Sequence, residues 1–472
     1  MVFSLTQLFS IGIIYLLILF GSAYATEKGW LADRLTRHPA VRVLSLGVFA
    51  GAICFNGTLG LAAEYGASFL LYFLGASAAF IVAPVLLDPL SRIALTHRLG
   101  SLADVFAFRY PAPWVGGVVS LLMLIALLPL IALQIQAVSG SIHLLNQQVS
   151  EPAIAMVFCI TMTAFAILFG ARHLSTRNKH QGLVVALGLE SCIKLIAFIV
   201  VALYAIYSVF GGFSELNLWL NQHPRELTQT QVLLDQGTSR SLLLMFFAAA
   251  IAMPHVYHIL LTENDDPQSL RSIRWGFPLY MLLLSLCVPP IVWAANHLDV
   301  GTPTEFYGLG IGLTTGNRAI TLLAFVASMA AGSGVLIVST LALSSMTLNH
   351  IILPLYRPGQ GRDIYSLLLN TRRLLIAGII LLSYGMYRML APDQTLTSLG
   401  IVAFVAVLQF LPGMVGAFYW RQANKMGLLA GLAAGYGIWF LTLFYPLLNQ
   451  LVYTSFLVTN PLVPEPGLVQ AS

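Results

Sequence analysis

Apolar and polar positions along this chain come in blocks. Twelve stretches, each about twenty residues long, hold almost no charge. They lie near residues 4–25, 42–66, 67–88, 114–141, 153–170, 183–210, 240–262, 275–296, 319–347, 372–391, 396–420 and 425–447. Runs of that length match the hydrocarbon thickness of a bilayer. With no water there to satisfy the backbone, they must be helices. The pattern predicts an all-α polytopic membrane protein of twelve spans, numbered here in chain order.

Two spans depart from the pattern. Span 2 contains "ICFNGTLGLAAEYG" (53–66), where Asn56, Gly57, Gly60 and Glu64 interrupt an otherwise apolar run. Span 7 contains Pro254 in "AIAMPHVYH". The two are five helices apart, and an odd repeat length inverts the second copy in the membrane. Interrupted helices at matching places in two halves point to an inverted-repeat transporter that binds its solute near the midplane. Spans 2–6 (about 42–210) and 7–11 (about 240–420) form the repeats, with spans 1 and 12 as flanking additions.

Composition narrows the function classes. The 472 residues are 58% hydrophobic and 9% charged, with a mean hydropathy of +0.85, far from a soluble domain. The longest loops, near 211–239 and 348–371, are too short for a separate domain. No nucleotide-binding, kinase or metalloprotease motif is present, so no enzyme is expected. No ring of charge or repeated pore loop suggests a channel. Cys54, Cys159, Cys192 and Cys287 are scattered without metal spacing and read as small buried hydrophobes. Of the 23 basic residues, 18 fall in loops after odd-numbered spans. Those loops are expected to face the cytoplasm and both termini the periplasm. That bias accounts for the net charge of +5 without nucleic acid. "SAYA" at the end of span 1 resembles a signal-peptidase site but lacks a basic n-region, so the span is read as retained. The tail, 448–472, is Pro-rich and reads as an unstructured end or a shortened linker.

A few polar side chains sit inside spans. Glu190 and Lys194 in span 6 are four apart with the acid first, which lets them pair on one helix face as a structural or gating ion pair. His255 and His258 are three apart beside Pro254. Each is open to binding solute, to titrating near neutral pH, or to hydrogen-bonding within the bundle. Gln134, Gln136 and Gln409 are intramembrane amides that need partners.

The stretch "QFLPGMVGAFYWRQANKMGLLAGL" (409–432) resembles the closing signature of the sodium/solute symporter family. The runs "SLGVFAGAICFNGTLGLAAEYGASFLLYFLG", "LGSLADVFAFRY", "LPLIALQIQAV" and "TENDDPQSLRSIRWGFPLY" are similar to the amino-terminal transporter module of CbrA-like, histidine-utilisation-type bacterial sensor kinases. The resemblance covers nearly the whole chain. It implies a LeuT-type 5+5 inverted-repeat core in the bacterial inner membrane. Such a core moves a small polar solute, here an amino acid with histidine as a candidate, by alternating access. It equally implies an alternative, a solute sensor feeding a downstream signalling domain. Those relatives continue through a further span and a linker into kinase domains, so the chain reads as a truncated relative or a shortened stand-alone transporter.

The resemblance also implies a site. Lining the family's unwound segment up on "AICFNG" makes the carbonyls of Ala52 and Phe55 candidate sodium ligands. Asn56, Gly57 and Thr58 would then border the substrate. In span 9 the Ala330 carbonyl and the Ser333 hydroxyl fall at the family's sodium positions. Gly334 stands where a second hydroxyl is expected, so sodium and proton coupling both stay open. In span 7 the relatives' Pro–Arg–Gln–Phe–His-like run is matched at Pro254 and His258, with His255, Val256 and Tyr257 between. His255, Tyr257 and His258 join the candidate substrate residues, with Gln409, because the family's cavity borders span 11.

Overall fold

Each apolar block folds into helix, but the blocks holding helix breakers fold into several pieces. The computed structural model describes residues 3–170, 181–263, 269–355, 364–390 and 394–448. The Pro-rich tail beyond residue 448 lies outside them, as do Arg172, Arg177, Lys179, Arg357 and Arg362. Among the described residues, ten helices are long and apolar enough to cross a membrane, or eleven if one bent pair counts as a single span.

The twelve expected spans and this count differ at residues 39–81. Helix α1 (Leu5–Glu27) opens the chain with a Ser4–Gln7 capping box. Helix α2 (Pro39–Ser45) runs into a tight turn, Leu46–Phe49. A wide helical turn, Ile53–Gly57, then leads into α3 (Thr58–Tyr65). Gly66, at φ 56, turns the chain sharply before α4 (Leu70–Ile81), a conformation that costs a residue without Cβ little. By length alone 53–81 is one apolar run. The corner at Gly66 makes it two separate pieces.

The rest of the first half comprises α5 (Leu87–His97), α6 (Leu102–Arg109), α7 (Val115–Leu145), α8 (Glu151–Gly170) and α9 (Gln181–Tyr204). Short helices α10 (Phe213–Gln222) and α11 (Pro224–Gln231) lead to α12 (Gln236–Ala252) and α13 (Pro254–Tyr257). Helices α14 (Ser269–His297), α15 (Tyr307–Thr314), α16 (Arg318–Thr347) and α17 (Ile364–Leu390) follow. Helices α18 (Leu396–Leu408), α19 (Leu411–Tyr419) and α20 (Lys425–Trp439) complete the bundle.

Packing exchanges the two halves. Helix α4 of span 3 packs along α12 of span 7, while α14 of span 8 packs on α2 and α3 of span 2. Likewise α9 of span 6 lies on α16, and α18 of span 11 lies on α7. Adding or subtracting five spans converts each contact into its mate, as a five-helix repeat requires. The α4–α12 contact is so close that a Cβ at Gly75 would lie 2.7 Å from the Leu243 carbonyl oxygen.

The loops sort to two ends. At one, Thr262 donates to the Gly100 carbonyl (2.8 Å), His350 meets Asp104 (2.7 Å), Arg274 pairs with Asp88, and Arg109 donates to the carbonyls of Ala417 and Trp420 (3.1 Å each). At the other, Ala67 N donates to Val232 O (2.9 Å) and Asn296 to Glu226 (2.9 Å). Ile13, Leu17, Leu286, Leu381 and Leu441 are each more than half exposed on the outside of the bundle, an apolar surface suited to lipid.

Candidate functional site

The first interrupted helix breaks at Ala50–Gly51, where Ala50 leaves helical geometry with ψ 67. No side chain fits at Gly51: a Cβ there would lie 2.6 Å from Val335 Cγ2 and 3.2 Å from Gln134 Oε1. Several backbone groups at the break have side-chain partners, as burial favours. Ala52 N donates to Gln134 Oε1 at 2.9 Å. The Phe49 carbonyl accepts the Tyr72 hydroxyl at 2.9 Å. The carbonyls of Gly47 and Ala50 accept from Lys194 Nζ at 3.1 and 3.2 Å.

The expected sodium residues lie around this break. Ala52 and Phe55 are on its continuing side, with Ala52 N bonded to Gln134 and the Phe55 ring centroid 4.6 Å from that of Phe198. Of the two carbonyls that Lys194 meets, that of Gly47 also accepts from Ala50 N at 3.0 Å. Ser333 Oγ meets the Ala330 carbonyl at 3.5 Å and the Tyr15 hydroxyl at 3.0 Å. Sodium does not fit here. The carbonyls of Gly47 and Ala50 already face an ammonium, and Gly334 offers no hydroxyl. A Cβ at 334 would lie 2.3 Å from both carboxylate oxygens of Glu190, so Glu190 fills the notch that Gly334 leaves. Glu190 Oε1 stands 3.0 Å from Lys194 Nζ.

Beyond the break, Asn56 joins three elements. Its amide Nδ2 donates to the Glu305 carbonyl at 3.1 Å, and its Oδ1 accepts from Ser328 Oγ on α16 at 3.1 Å. The Gly57 carbonyl accepts from Thr397 Oγ1 at 3.3 Å, while the Thr58 hydroxyl turns back to the Cys54 carbonyl. Glu305, in the loop between α14 and α15, accepts from Thr397 N at 3.1 Å. Burial pushes its carboxyl up to about 7, and nearby Glu64 acts in the same direction.

The second interrupted helix bends by 43° where Met253 is extended, between Gln236–Ala252 and Pro254–Thr262. His255 Nδ1 lies 3.1 Å from Ser339 Oγ. Ser328 and Ser339 are three turns apart on α16, about 16 Å along its axis, so Asn56 and His255 sit at different depths. Tyr257 reaches the Leu99 carbonyl (2.9 Å), and His258 pairs with Glu263 (3.2 Å). Both therefore lie towards the Arg109 end. Gln409 bonds its own helix at the Val405 carbonyl (3.1 Å) and faces Gly435, lining a cavity of about 510 Å³ with Tyr110 and Trp420. The expected substrate set is thus spread in depth. Asn56, Gly57 and Thr58 sit at one level and His255 at another, while Tyr257, His258 and Gln409 stand apart.

Several residues at the breaks carried no assigned role from sequence. Gln134 was legible as a buried amide but not as the cap of Ala52. Tyr72, stacked on Phe49 and set edge-on to Phe246, fills the space between the two interrupted helices. Its one signal was a hydroxyl in an apolar run. Glu305 gave no signal, being an acid in a loop.

No protein-family model and no curated protein matches the chain. Solved structures do. A substrate-bound, outward-open Na+-coupled sialic acid symporter aligns over 97% of this chain and 98% of its own, at 15% identity and a TM-score of 0.68. MhsT in complex with L-phenylalanine aligns over 89% and 98%, at 14% identity and a TM-score of 0.54. The fold is the LeuT type. A mutant of the Eremococcus coleocola manganese transporter also aligns, over 89% and 94%, at 13% identity and a TM-score of 0.51. In this LeuT-type bundle α2–α9 and α12–α19 are the inverted five-span halves, and α1 and α20 flank them.

Proposed function

We propose that the chain is an ion-coupled secondary transporter of the bacterial inner membrane, related to the sodium/solute symporters and to the transporter modules of CbrA-like kinases. It moves a small polar solute, an amino acid with histidine among the candidates, by alternating access. The basic loops put the Arg109 end in the cytoplasm and the amino terminus in the periplasm. One observation carries the reading: both interrupted helices are braced on the same long helix, α16, through buried polar contacts, Asn56–Ser328 and His255–Ser339. Polar groups at membrane depth are costly unless they serve a pathway. Contacts of a single hydrogen bond are the kind a solute can replace. Asn56, Gly57, Thr58 and His255 are the proposed solute residues. Tyr257, His258 and Gln409 reach the solute only if the cytoplasmic half rearranges.

Purified protein in proteoliposomes, screened across the common amino acids under imposed sodium and proton gradients, tests this. Uptake that collapses when the gradients are dissipated is the expected result. Solute binding without uptake overturns it in favour of a sensor with a downstream signalling domain. The carbonyls of Gly47 and Ala50 favour that second reading, because a side chain of the protein, Lys194, takes them.

A further inference from the structure

Beside Gly334, where the family resemblance expects a second sodium-ligating hydroxyl, the break holds an ion pair of the protein itself. Lys194 Nζ has three N–H donors and three acceptors close by: Gly47 O at 3.1 Å, Ala50 O at 3.2 Å and Glu190 Oε1 at 3.0 Å. Glu190 Oε1 has no hydrogen bond beyond this ion-pair contact, and both side chains are almost wholly buried. One positive charge sits against two backbone carbonyls, as an alkali ion would, and a carboxylate at the same point cancels it. The fit extends to the surroundings. Gly334 leaves the room the carboxylate takes, and a Cβ at Gly47 would lie 2.6 Å from Ser191 Oγ, so helix α9 seats directly against the break.

We propose that the Lys194 ammonium is the resident cation of this fold. It ties the leading side of the first interrupted helix to α9 through Gly47 and Ala50, with Glu190 as its counter-charge, so neither folding nor solute binding requires sodium. The solute clause rests on the transporter reading; the folding clause does not. Lys194 is here a positioning residue, acting through the backbone of the break.

The test uses the full chain in detergent and needs no solute. Thermal unfolding is followed in sodium chloride and in choline chloride at equal ionic strength, with retention of radiolabelled sodium measured in parallel. The wild type is expected to melt at the same temperature in both salts and to retain no sodium. Lys194→Ala is expected to melt lower in choline and to regain a few degrees in sodium, because the vacated carbonyls and Glu190 then form a cation site. Lys194→Met combined with Glu190→Gln removes both charges and is expected to fold without responding to sodium. Wild-type protein that binds or is stabilised by sodium overturns the proposal. So does a folded Lys194→Ala variant that is indifferent to it. Should that variant fail to fold, the wild-type and double-variant measurements decide alone. A sodium-independent protein that also fails to take up solute leaves this proposal standing and removes only the transporter reading.

Discussion

Gly334 and Glu190 are complementary: the missing side chain of one is the space occupied by the carboxylate of the other, with an added Cβ 2.3 Å from both oxygens. A glycine that reads as a lost sodium ligand is therefore part of an ion-pair site. Gly334→Ala is expected to cost about 1–3 kcal/mol of stability through overpacking. Most of that cost is expected to vanish when Glu190 and Lys194 are both alanine. A double-mutant cycle by chemical denaturation measures the coupling. An unchanged penalty in the double-alanine background would show that the clash lies elsewhere.

Glu305 predicts a pH dependence with a definite sign. Its carboxyl, held near 7 by burial, keeps its proton in the folded protein at pH values where the unfolded chain has released it. The folded state then binds more protons, so the stability contributed is fully present below the ordinary carboxylate range and is lost as pH rises through about 7. The upper bound is about 3 kcal/mol. Melting temperature is expected to fall from about pH 5 to about pH 8, and Glu305→Gln is expected to flatten the slope. A slope that survives the substitution assigns the effect to another group.

The breaks were legible in kind but not in register. Pro254 interrupts its span because a proline removes a backbone donor wherever it falls, which is a local rule. In "AGAICFNG" three residues invite a break, and distant partners choose among them. Gln134 caps Ala52 from 82 positions away, and Lys194 takes the Ala50 carbonyl from 144 away. The chain therefore unwinds at Gly51, and the carbonyls of Gly47 and Ala50 meet Lys194. The spread of Asn56, His255 and His258 in depth was hidden for a related reason. Spacing along one helix says which face a residue occupies, but not which level of α16 it meets.

Gln134 and Gln409 are both amides in apolar helices, and the structure separates them. Gln134 is the acceptor for a buried backbone N–H that has left its helix, whereas Gln409 bonds only within its own helix. Gln134→Leu is expected to lose about 1–3 kcal/mol by stranding Ala52 N. Gln409→Leu is expected to lose less than about 1 kcal/mol and to leave solute affinity unchanged. Equal losses in a denaturant titration would remove the capping role from Gln134.

Asn56 and Cys54 are two residues apart and equally buried, so substitution to alanine compares their chemistry with exposure matched. Asn56 holds Glu305 and Ser328 together. On the transporter reading, a solute bound there competes for those bonds. Asn56→Ala is expected to weaken solute binding by about tenfold or more, equivalent to about 1.4 kcal/mol. Cys54→Ala, which removes one small apolar contact, is expected to change it by less than about threefold. Melting temperature, measured alongside affinity, separates two roles. A residue that only pins helices together lowers the melting temperature and leaves affinity intact. A solute ligand loses affinity beyond what its stability loss explains. Binding that responds equally to both substitutions would leave the first break without a solute site.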